Sequence, residues 1–165
     1  MRLRLAPAAQ HDVPDLVSLR SAAHRNLAAQ FGEGYWAPAV TEKAILFAMR
    51  RAVVYIARYR NQPVATLTLS TRKPWAIDKK YFHPSRKPLY LTSMAVHPRH
   101  QRKGLGRLCL SEARRIAAAW PADAIRLDAW DAVAGAGDFY RKCGFHEVGR
   151  AIYRATSLIY FELRL

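Results

Sequence analysis

The chain has 165 residues, of which 51% are hydrophobic, and its formal net charge is +15. This length can bury one ordinary core but is too short for two, so we expect a single domain over residues 1–165. The apolar stretches fall well short of the roughly 20 residues of a membrane-spanning helix, and the residues after Met1 lack the apolar core of a signal peptide. We therefore expect neither a membrane protein nor a secreted one.

The excess of basic residues indicates that a ligand would be negatively charged, but it does not identify the ligand. A positive field attracts anions, but Lys and Arg are spread along the chain without the run of five or more that marks a nucleic-acid-binding arm. Nucleic acid is a partner that the composition allows but does not favour. A solvated, arginine-rich surface explains the charge equally well.

The cysteines and histidines indicate neither a disulfide framework nor a metal site. Cys109 and Cys143 occupy apolar positions of predicted helices, and we expect reduced thiols in a cytoplasmic protein. His97 and His100, the closest pair of histidines, have no cysteine or carboxylate at metal-ligand spacing. We expect no bound metal.

The first third of the chain predicts a strand followed by two helices. A short strand at 3–6 precedes a helix at 12–30, in which apolar residues recur with the helical period. The segment 32–38, with the sequence Gly-Glu-Gly-Tyr-Trp-Ala-Pro, interrupts this pattern. Thr41 is expected to cap a second, short helix.

The middle of the chain predicts strands separated by one long irregular segment. Two β-branched runs, 53–59 and 64–71, flank Arg-Asn-Gln-Pro, which is typical of a hairpin. A basic and aromatic stretch at 72–87 follows, and 89–96 predicts another strand.

The last third begins with the strongest helix, which starts at Leu105 and is ended by Pro121, and in which apolar positions recur at i, i+3 and i+4. The remaining elements are a strand at 124–130, a helix at 134–142 that stops at Gly144, and strands at 145–152 and 157–163. This order predicts an α/β sandwich with a mixed sheet.

The most informative segment, 91–107, comprises a strand end, a turn and the first turn of the strongest helix. Free backbone N–H groups at a helix N-terminus attract anions, and Gly104 and Gly106 would let the chain approach phosphates closely. Charge and further donors come from Gln101, Arg102, Lys103 and Arg107. This layout suits a pyrophosphate.

Two common phosphate-binding motifs do not fit the segment. The dinucleotide fingerprint needs a third glycine where Cys109 stands, and the Gly-Lys-Ser/Thr of a Walker loop is missing. Residues 101–106 instead match the Gln/Arg-x-x-Gly-x-Gly/Ala signature of the GNAT superfamily of N-acetyltransferases. A second block, 126–145, is similar to the strand, helix and Tyr-x-x-x-Gly-Phe ending that follow in that superfamily. The chain thus resembles a GNAT protein over about 89–150, and by element order before that.

The resemblance implies an α/β (α+β) sandwich of the GNAT type, with a central mixed, mostly antiparallel sheet of about seven strands and about four flanking helices. It implies an acyltransferase that moves an acetyl group from acetyl-CoA, its cosubstrate, to a primary amine of a small-molecule or peptide acceptor. Transfer would be direct, in a ternary complex without metal. A homodimer is compatible with the family.

The resemblance also implies cofactor-binding residues. The backbone of Met94, Ala95 and Val96 would pair with the pantetheine amides, although a plain core strand has the same pattern. The pyrophosphate would be wrapped by Gln101, Arg102, Lys103, Gly104, Leu105, Gly106 and Arg107. Solvated surface charge is the alternative for the arginines. Val133 stands where the family often has Asn, seven residues before the tyrosine, so that contact is in question.

Tyr140 corresponds to the tyrosine that protonates the departing CoA thiolate in many family members; packing on the helix is the alternative. A general base is also needed, because an amine with a pKa of about 10.4 is almost wholly protonated at pH 7. The strand before the motif offers Tyr90, Thr92 and Ser93, none of which is a good base. The remaining candidates are Asp78, Asp128, Asp131 and a water chain.

The long segment 72–87 is expected to fold over the acceptor side of the site, since loops of this length are usually functional. Trp75, Tyr81 and Phe82 would line a pocket or, alternatively, form a packed cluster beneath the loop. A second class of function is also open: a catalytically weak module of the same fold that binds CoA, RNA or the ribosome.

Overall fold

The computed structural model describes residues 3–34 and 38–165 of the chain. Tyr35, Trp36 and Ala37, part of the predicted break between the first two helices, lie outside the described residues. The strands are β1 (Leu5–Pro7), β2 (Val53–Tyr59), β3 (Gln62–Ser70), β4 (Pro88–Val96), β5 (Ala124–Trp130), β6 (His146–Tyr153) and β7 (Thr156–Arg164). The α-helices are α1 (Val13–Phe31), α2 (Glu42–Arg51), α3 (Leu105–Ala119) and α4 (Gly137–Lys142).

The strands form one seven-stranded sheet in the order β1-β2-β3-β4-β5-β7-β6. β4 and β5 are parallel, and every other neighbouring pair is antiparallel. The prediction of a mixed, mostly antiparallel sheet with four helices is therefore confirmed.

The two faces of the sheet are covered differently. The main core packs α3 and α4 against one face, and it includes Leu67 of β3, Leu127 of β5 and Phe161 of β7. A second cluster on the other face packs Leu16 of α1 and Ile45 of α2 against β2. Among the described residues no helix is both long and apolar enough to cross a lipid bilayer.

Local sequence signals explain several element boundaries. The Thr41 hydroxyl accepts a hydrogen bond of 3.1 Å from the Ala44 N–H and so caps α2, as predicted. Arg60 and Asn61 have φ values of 48° and 63°, the left-handed geometry of a tight hairpin turn between β2 and β3. Gly144, with φ of 88°, ends α4.

The start of α4 differs from the prediction, which placed it at 134. Gly135 lies in a turn closed by its own N–H and the Ala132 carbonyl, 2.8 Å apart. A Cβ on Gly135 would lie 1.8 Å from the Trp130 carbonyl oxygen, so the chain is pressed against the end of β5 here. This tight turn occupies the residues up to Gly135, and the helix begins only at Gly137.

The segment 72–87 covers the sheet on the face opposite α3. Its Ile77 and Phe82 are buried in a third cluster with Tyr90, Leu158 and Tyr160. Its C-terminal end is anchored by Asp123, whose carboxylate accepts hydrogen bonds from the Ser85 hydroxyl and from the N–H groups of residues 86 and 87. The packed cluster that was the alternative for the aromatic residues of this segment therefore contains Phe82 and, partly buried, Tyr81, but not Trp75.

Candidate active site

A wedge-shaped gap opens between β4 and β5. β4 has nine residues, but it pairs with β5 only through 88–90, opposite 124–126. Beyond Tyr90 and Arg126 the two strands separate, although β4 remains paired with β3, and β5 with β7. The facing edges of 91–96 and 127–130 therefore have no strand partner within the described residues, and their backbone groups face the gap.

β4 bends where it borders this gap. The register with β3 shifts between Thr66 and Thr68, opposite Ser93, whose φ is 52°. Such a bulge re-aims the strand and increases its twist. Met94, Ala95 and Val96, the predicted pantetheine-binding trio, follow the bulge and are half-buried. They lie on the free edge of β4.

The turn after β4 is fixed by the Gln101 side chain. Its Nε2 donates a hydrogen bond of 2.9 Å to the Val96 carbonyl, and its Oε1 accepts one of 3.3 Å from Nδ2 of Asn26 in α1. Gln101 therefore positions the turn through its side chain. Asn26 was missed by the sequence reasoning, because it lies 75 residues from its partner.

The N-terminus of α3 faces outward with unused donors. The first helical bond runs from the Leu108 N–H to the Gly104 carbonyl, 3.2 Å apart, so the N–H groups of 105–107 have no partner inside the helix. No side chain of the described residues caps them. Arg102, Lys103, Gly104 and Arg107 are exposed, whereas Leu105 is buried in the main core.

The two glycines of the motif have different physical roles. Gly104 has φ of 81°, and a Cβ there would meet nothing within 4 Å, so backbone conformation explains this glycine. A Cβ on Gly106 would lie 2.9 Å from the Phe139 ring, so close packing explains the second. Gly106 thereby allows α3 to pack against α4 next to Tyr140, a role for Phe139 that the sequence reasoning missed.

Tyr140 is held in an aromatic cluster at the base of α4. It is 8% exposed, and its ring centroid lies 5.3, 5.6 and 5.9 Å from those of Phe139, Phe145 and Phe161. Burial, and then the negative charges of Asp128 and Cys143, raise the pKa of Tyr140 well above its ordinary value. Its phenol is therefore protonated at neutral pH.

The three aspartates considered as the general base have different surroundings in the structure. The Asp78 carboxylate caps the Lys80 N–H and forms an ion pair of 3.2 Å with the Lys80 ammonium. Asp131 forms an ion pair of 3.0 Å with Arg150. Asp128 lies on the gap edge of β5, opposite Tyr160 of β7, and its charge raises the pKa values of both Tyr140 and Tyr160. Asp128 is thus the candidate beside the gap.

An open groove of ≈ 630 Å³ lies between the segment 72–87 and the β6–β7 hairpin. Trp75, which is 89% exposed, and Tyr81 line it, whereas Phe82 is buried in the cluster below. The groove reaches Tyr160, the strand neighbour of Asp128. The predicted aromatic lining is therefore present without Phe82.

Two further observations concern the side chains available for binding a cofactor or a metal ion. Val133, at the position where Asn was expected, is 95% exposed and offers no polar side-chain atom. In the described ranges no three side chains of His, Cys, Asp or Glu converge to hold a metal ion. The gap is thus bordered by Asp128 of β5 and by free backbone groups of β4, while Tyr140 lies in the core against which Met94 and Val96 pack.

Comparisons with known proteins identify the family. The model of the acetyltransferase (GNAT) family matches residues 17–145. The chain belongs to this family. The predicted GNAT membership and acetyltransferase class are thereby confirmed. No curated protein matches the sequence.

Solved structures with the same fold include GNAT enzymes of low sequence identity. The ribosomal-protein-S18-alanine N-acetyltransferase from Escherichia coli is 17% identical, with a TM-score of 0.72 over 98% of this chain and 93% of that one. The PaiA N-acetyltransferase from Thermoplasma acidophilum, in complex with coenzyme A, is 14% identical, with a TM-score of 0.74 over all of both chains. The ribosomal-protein-alanine N-acetyltransferase from Brucella melitensis is 18% identical, with a TM-score of 0.69 over 98% and 99%. At these identities the likeness concerns the fold.

Proposed function

We propose that this GNAT protein transfers the acetyl group of acetyl-CoA to a primary amine by direct transfer in a ternary complex. The observation that carries the proposal is the gap between β4 and β5, which opens beside the unused N–H groups of α3. An extended amide chain can pair with a free strand edge, and a pyrophosphate can bind a helix N-terminus. Both sites would then lie at one end of the sheet.

The binding roles follow from this geometry. The free edge of Met94, Ala95 and Val96 would pair with the pantetheine, and the backbone of 102–107 would donate to the pyrophosphate. Arg102 and Arg107 are exposed beside those donors and would add charge. Gln101 would act by holding the turn, because its side chain already bonds Val96 and Asn26.

Asp128 and Tyr140 would divide the proton transfers. Asp128 would take a proton from the acceptor amine, directly or through a water molecule, as the amine attacks the thioester carbonyl. Tyr140 would donate its phenolic proton to the thiolate that leaves when the tetrahedral intermediate collapses. The effect of the Asp128 charge on the pKa of Tyr140 supports this pairing, since it requires the two groups to be close enough to interact.

The acceptor would enter on the face opposite α3, through the groove lined by Trp75, Tyr81 and Tyr160, the last of which pairs with Asp128. Peptides that begin with alanine belong in an acceptor screen beside small amines, because two fold neighbours are named for ribosomal-protein alanine acetylation.

One sheet runs from β1 to β6, and both cysteines are free thiols. These features support a single domain over 1–165 and a cytoplasmic location.

Acetyl-CoA is expected to raise the melting temperature, because a ligand that binds only the folded state stabilises it. At about 100 times Kd the gain is about 2.7 kcal/mol, or roughly 5–10 °C. Gly104→Val should abolish the shift, because a β-branched residue strains the backbone at φ of 81° and displaces the donors that follow. Gly106→Val should also abolish it, because its side chain would push α3 away from Phe139. Gly32→Val is the matched control, since Gly32 also has a positive φ (76°) and open space but follows α1. No shift in the intact protein at saturating acetyl-CoA would refute the proposal.

Asp128→Asn is expected to slow transfer about 10²-fold, at the lower end for acid–base catalysis because a water chain can partly replace the carboxylate. Single-turnover release of free thiol in the presence of an active amine measures the rate. Asp131→Asn is the control, because that carboxylate is held by Arg150 and should leave the rate nearly unchanged. Equal effects of the two substitutions would remove Asp128 from the mechanism.

A further inference from the structure

Arg20 on α1 is a buried cation for which the described residues provide no counter-ion. It is 8% exposed, and its Nη2 makes only long hydrogen bonds, of 3.5 and 3.4 Å, to the hydroxyls of Thr66 and Thr68. Its Nε has no hydrogen-bond partner among the described residues. No carboxylate of these residues forms an ion pair with it, and burial alone accounts for its lowered pKa of about 10. Arg20 is therefore still charged at neutral pH.

Such a group is unfavourable for the fold. Buried charges in proteins are normally paired, and an apolar side chain of similar volume is commonly the more stable choice. The two threonine hydroxyls cannot neutralise a guanidinium, which has five N–H donors. A buried, unpaired arginine is therefore explained best by an anion that arrives from outside.

An open pocket lies one helical turn further along α1. His24 lines an open pocket of ≈ 290 Å³ between α1 and residues 38–40. Burial, and then the positive charge of Arg20, lower the pKa of His24, so the charge of Arg20 acts on a residue that lines this pocket. Glu33 also lines the pocket but is exposed, and it forms no ion pair with Arg20.

Arg20 lies on the face where the acceptor is proposed to enter. Thr66 and Thr68 alternate with Ala65 and Leu67, which belong to the core under α3, so the threonines point to the opposite face. Thr68 pairs with Thr92 of β4, whose other edge borders the gap. Two strand spacings of about 4.8 Å place the gap roughly 10 Å from Arg20.

We propose, on the basis of the acetyl transfer proposed above, that Arg20 binds a carboxylate group of the amine acceptor, about 10 Å from the amine. A carboxylate fits better than a phosphate dianion, because one buried cation balances one negative charge. The planar guanidinium also matches a planar carboxylate with two parallel hydrogen bonds. Arg20 is thereby a specificity-determining residue, separate from the acid and the base.

The binding test uses sodium propionate as a minimal carboxylate, with sodium chloride at equal ionic strength as reference. Propionate should raise the melting temperature of the intact protein by at least about 2 °C more than chloride does. Arg20→Met and Arg20→Gln should both lose this difference, whereas Arg114→Met, an exposed arginine of α3, should keep it. Equal shifts in the two salts, or a shift that survives in both Arg20 variants, would overturn the proposal.

The acceptor test compares matched pairs. 6-Aminohexanoate against hexylamine represents a free amino acid, and the peptide amide Ala-Ala-Asp against Ala-Ala-Asn represents an acidic peptide. A preference in kcat/KM of at least about tenfold for the carboxylate in either pair, lost in Arg20→Gln, supports the proposal and identifies the source. Equal use of both members in both pairs contradicts it.

A failure of the Arg20 proposal can be distinguished from a failure of the acetyl-transfer proposal. Acetyl-CoA binding is measured on the α3 side, and propionate binding needs no turnover. Without ligand, Arg20→Met should melt no lower than the Arg114→Met control, because it removes a buried unpaired charge. A clearly lower melting temperature for Arg20→Met would assign Arg20 to the fold and count against a ligand role.

Discussion

Replacing Glu162 with alanine is expected to lower the free energy of unfolding by about 3–5 kcal/mol, because it leaves the Arg126 guanidinium buried and unpaired. The two side chains are 1% and 5% exposed, and Nε of Arg126 lies 2.9 Å from the carboxylate. Arg126 also donates to the His83 carbonyl, and Nδ1 of His83 lies 2.9 Å from the other oxygen of Glu162. The melting temperature should fall by roughly 10 °C.

Glu147→Ala is the matched control. That carboxylate pairs with Arg141 and Arg150 at the surface, where an ion pair contributes about 0–1 kcal/mol. Thermal unfolding of both variants on the same instrument measures the difference. A loss for Glu162→Ala no larger than that for Glu147→Ala would mean that Arg126 reaches water or another partner.

The buried pair also bears on the active site. Arg126 is the last residue of β5 to pair with β4, opposite Tyr90, so it stands at the apex of the gap. Through His83 the same pair holds the segment 72–87 against the sheet. The Glu162→Ala variant should therefore also weaken acceptor use, since it loosens both the apex and the groove.

The sequence predicts best the elements whose signals are local. α3 has a regular apolar period, glycines at its start and Pro121 after its end, and its observed bounds agree with the prediction. The β2–β3 hairpin follows from β-branched runs around a four-residue turn signal. α4 was predicted three residues too long at its start, because the tight turn that contains Gly135 was included in the helix.

The candidate site also divides into residues that a local motif finds and residues that it does not. The residues around α3 are contiguous in sequence, so a motif finds them together. The gap itself depends on where β4 and β5 stop pairing, and that follows from the bulge at Ser93 and from packing on both faces. Asn26, Phe139 and the ion pair of Arg126 with Glu162 act across long sequence separations, so no spacing rule could have found them.

Replacing Tyr140 with phenylalanine is expected to slow single-turnover transfer by about 10²- to 10⁴-fold, or roughly 3–5 kcal/mol of barrier, while the fold and the affinity for acetyl-CoA are retained. The ring contacts with Phe139, Phe145 and Phe161 do not involve the hydroxyl, so phenylalanine preserves them. The lost group is the phenolic proton donor. Thiol release and thermal unfolding on the same preparation measure both effects.

The raised pKa of Tyr140 keeps the proton on the phenol until a strong base such as a thiolate forms beside it. In the same core burial also raises the pKa of the Cys109 thiol, to about 12, so desolvation shifts thiols and phenols in the same direction. Tyr55→Phe is the control, since Tyr55 is buried in that core two strands from β4. If Tyr140 has only a packing role, Tyr140→Phe should behave like Tyr55→Phe: the transfer rate is unchanged, and at most about 1–3 kcal/mol of stability is lost. In that case the proton for the thiolate comes from water.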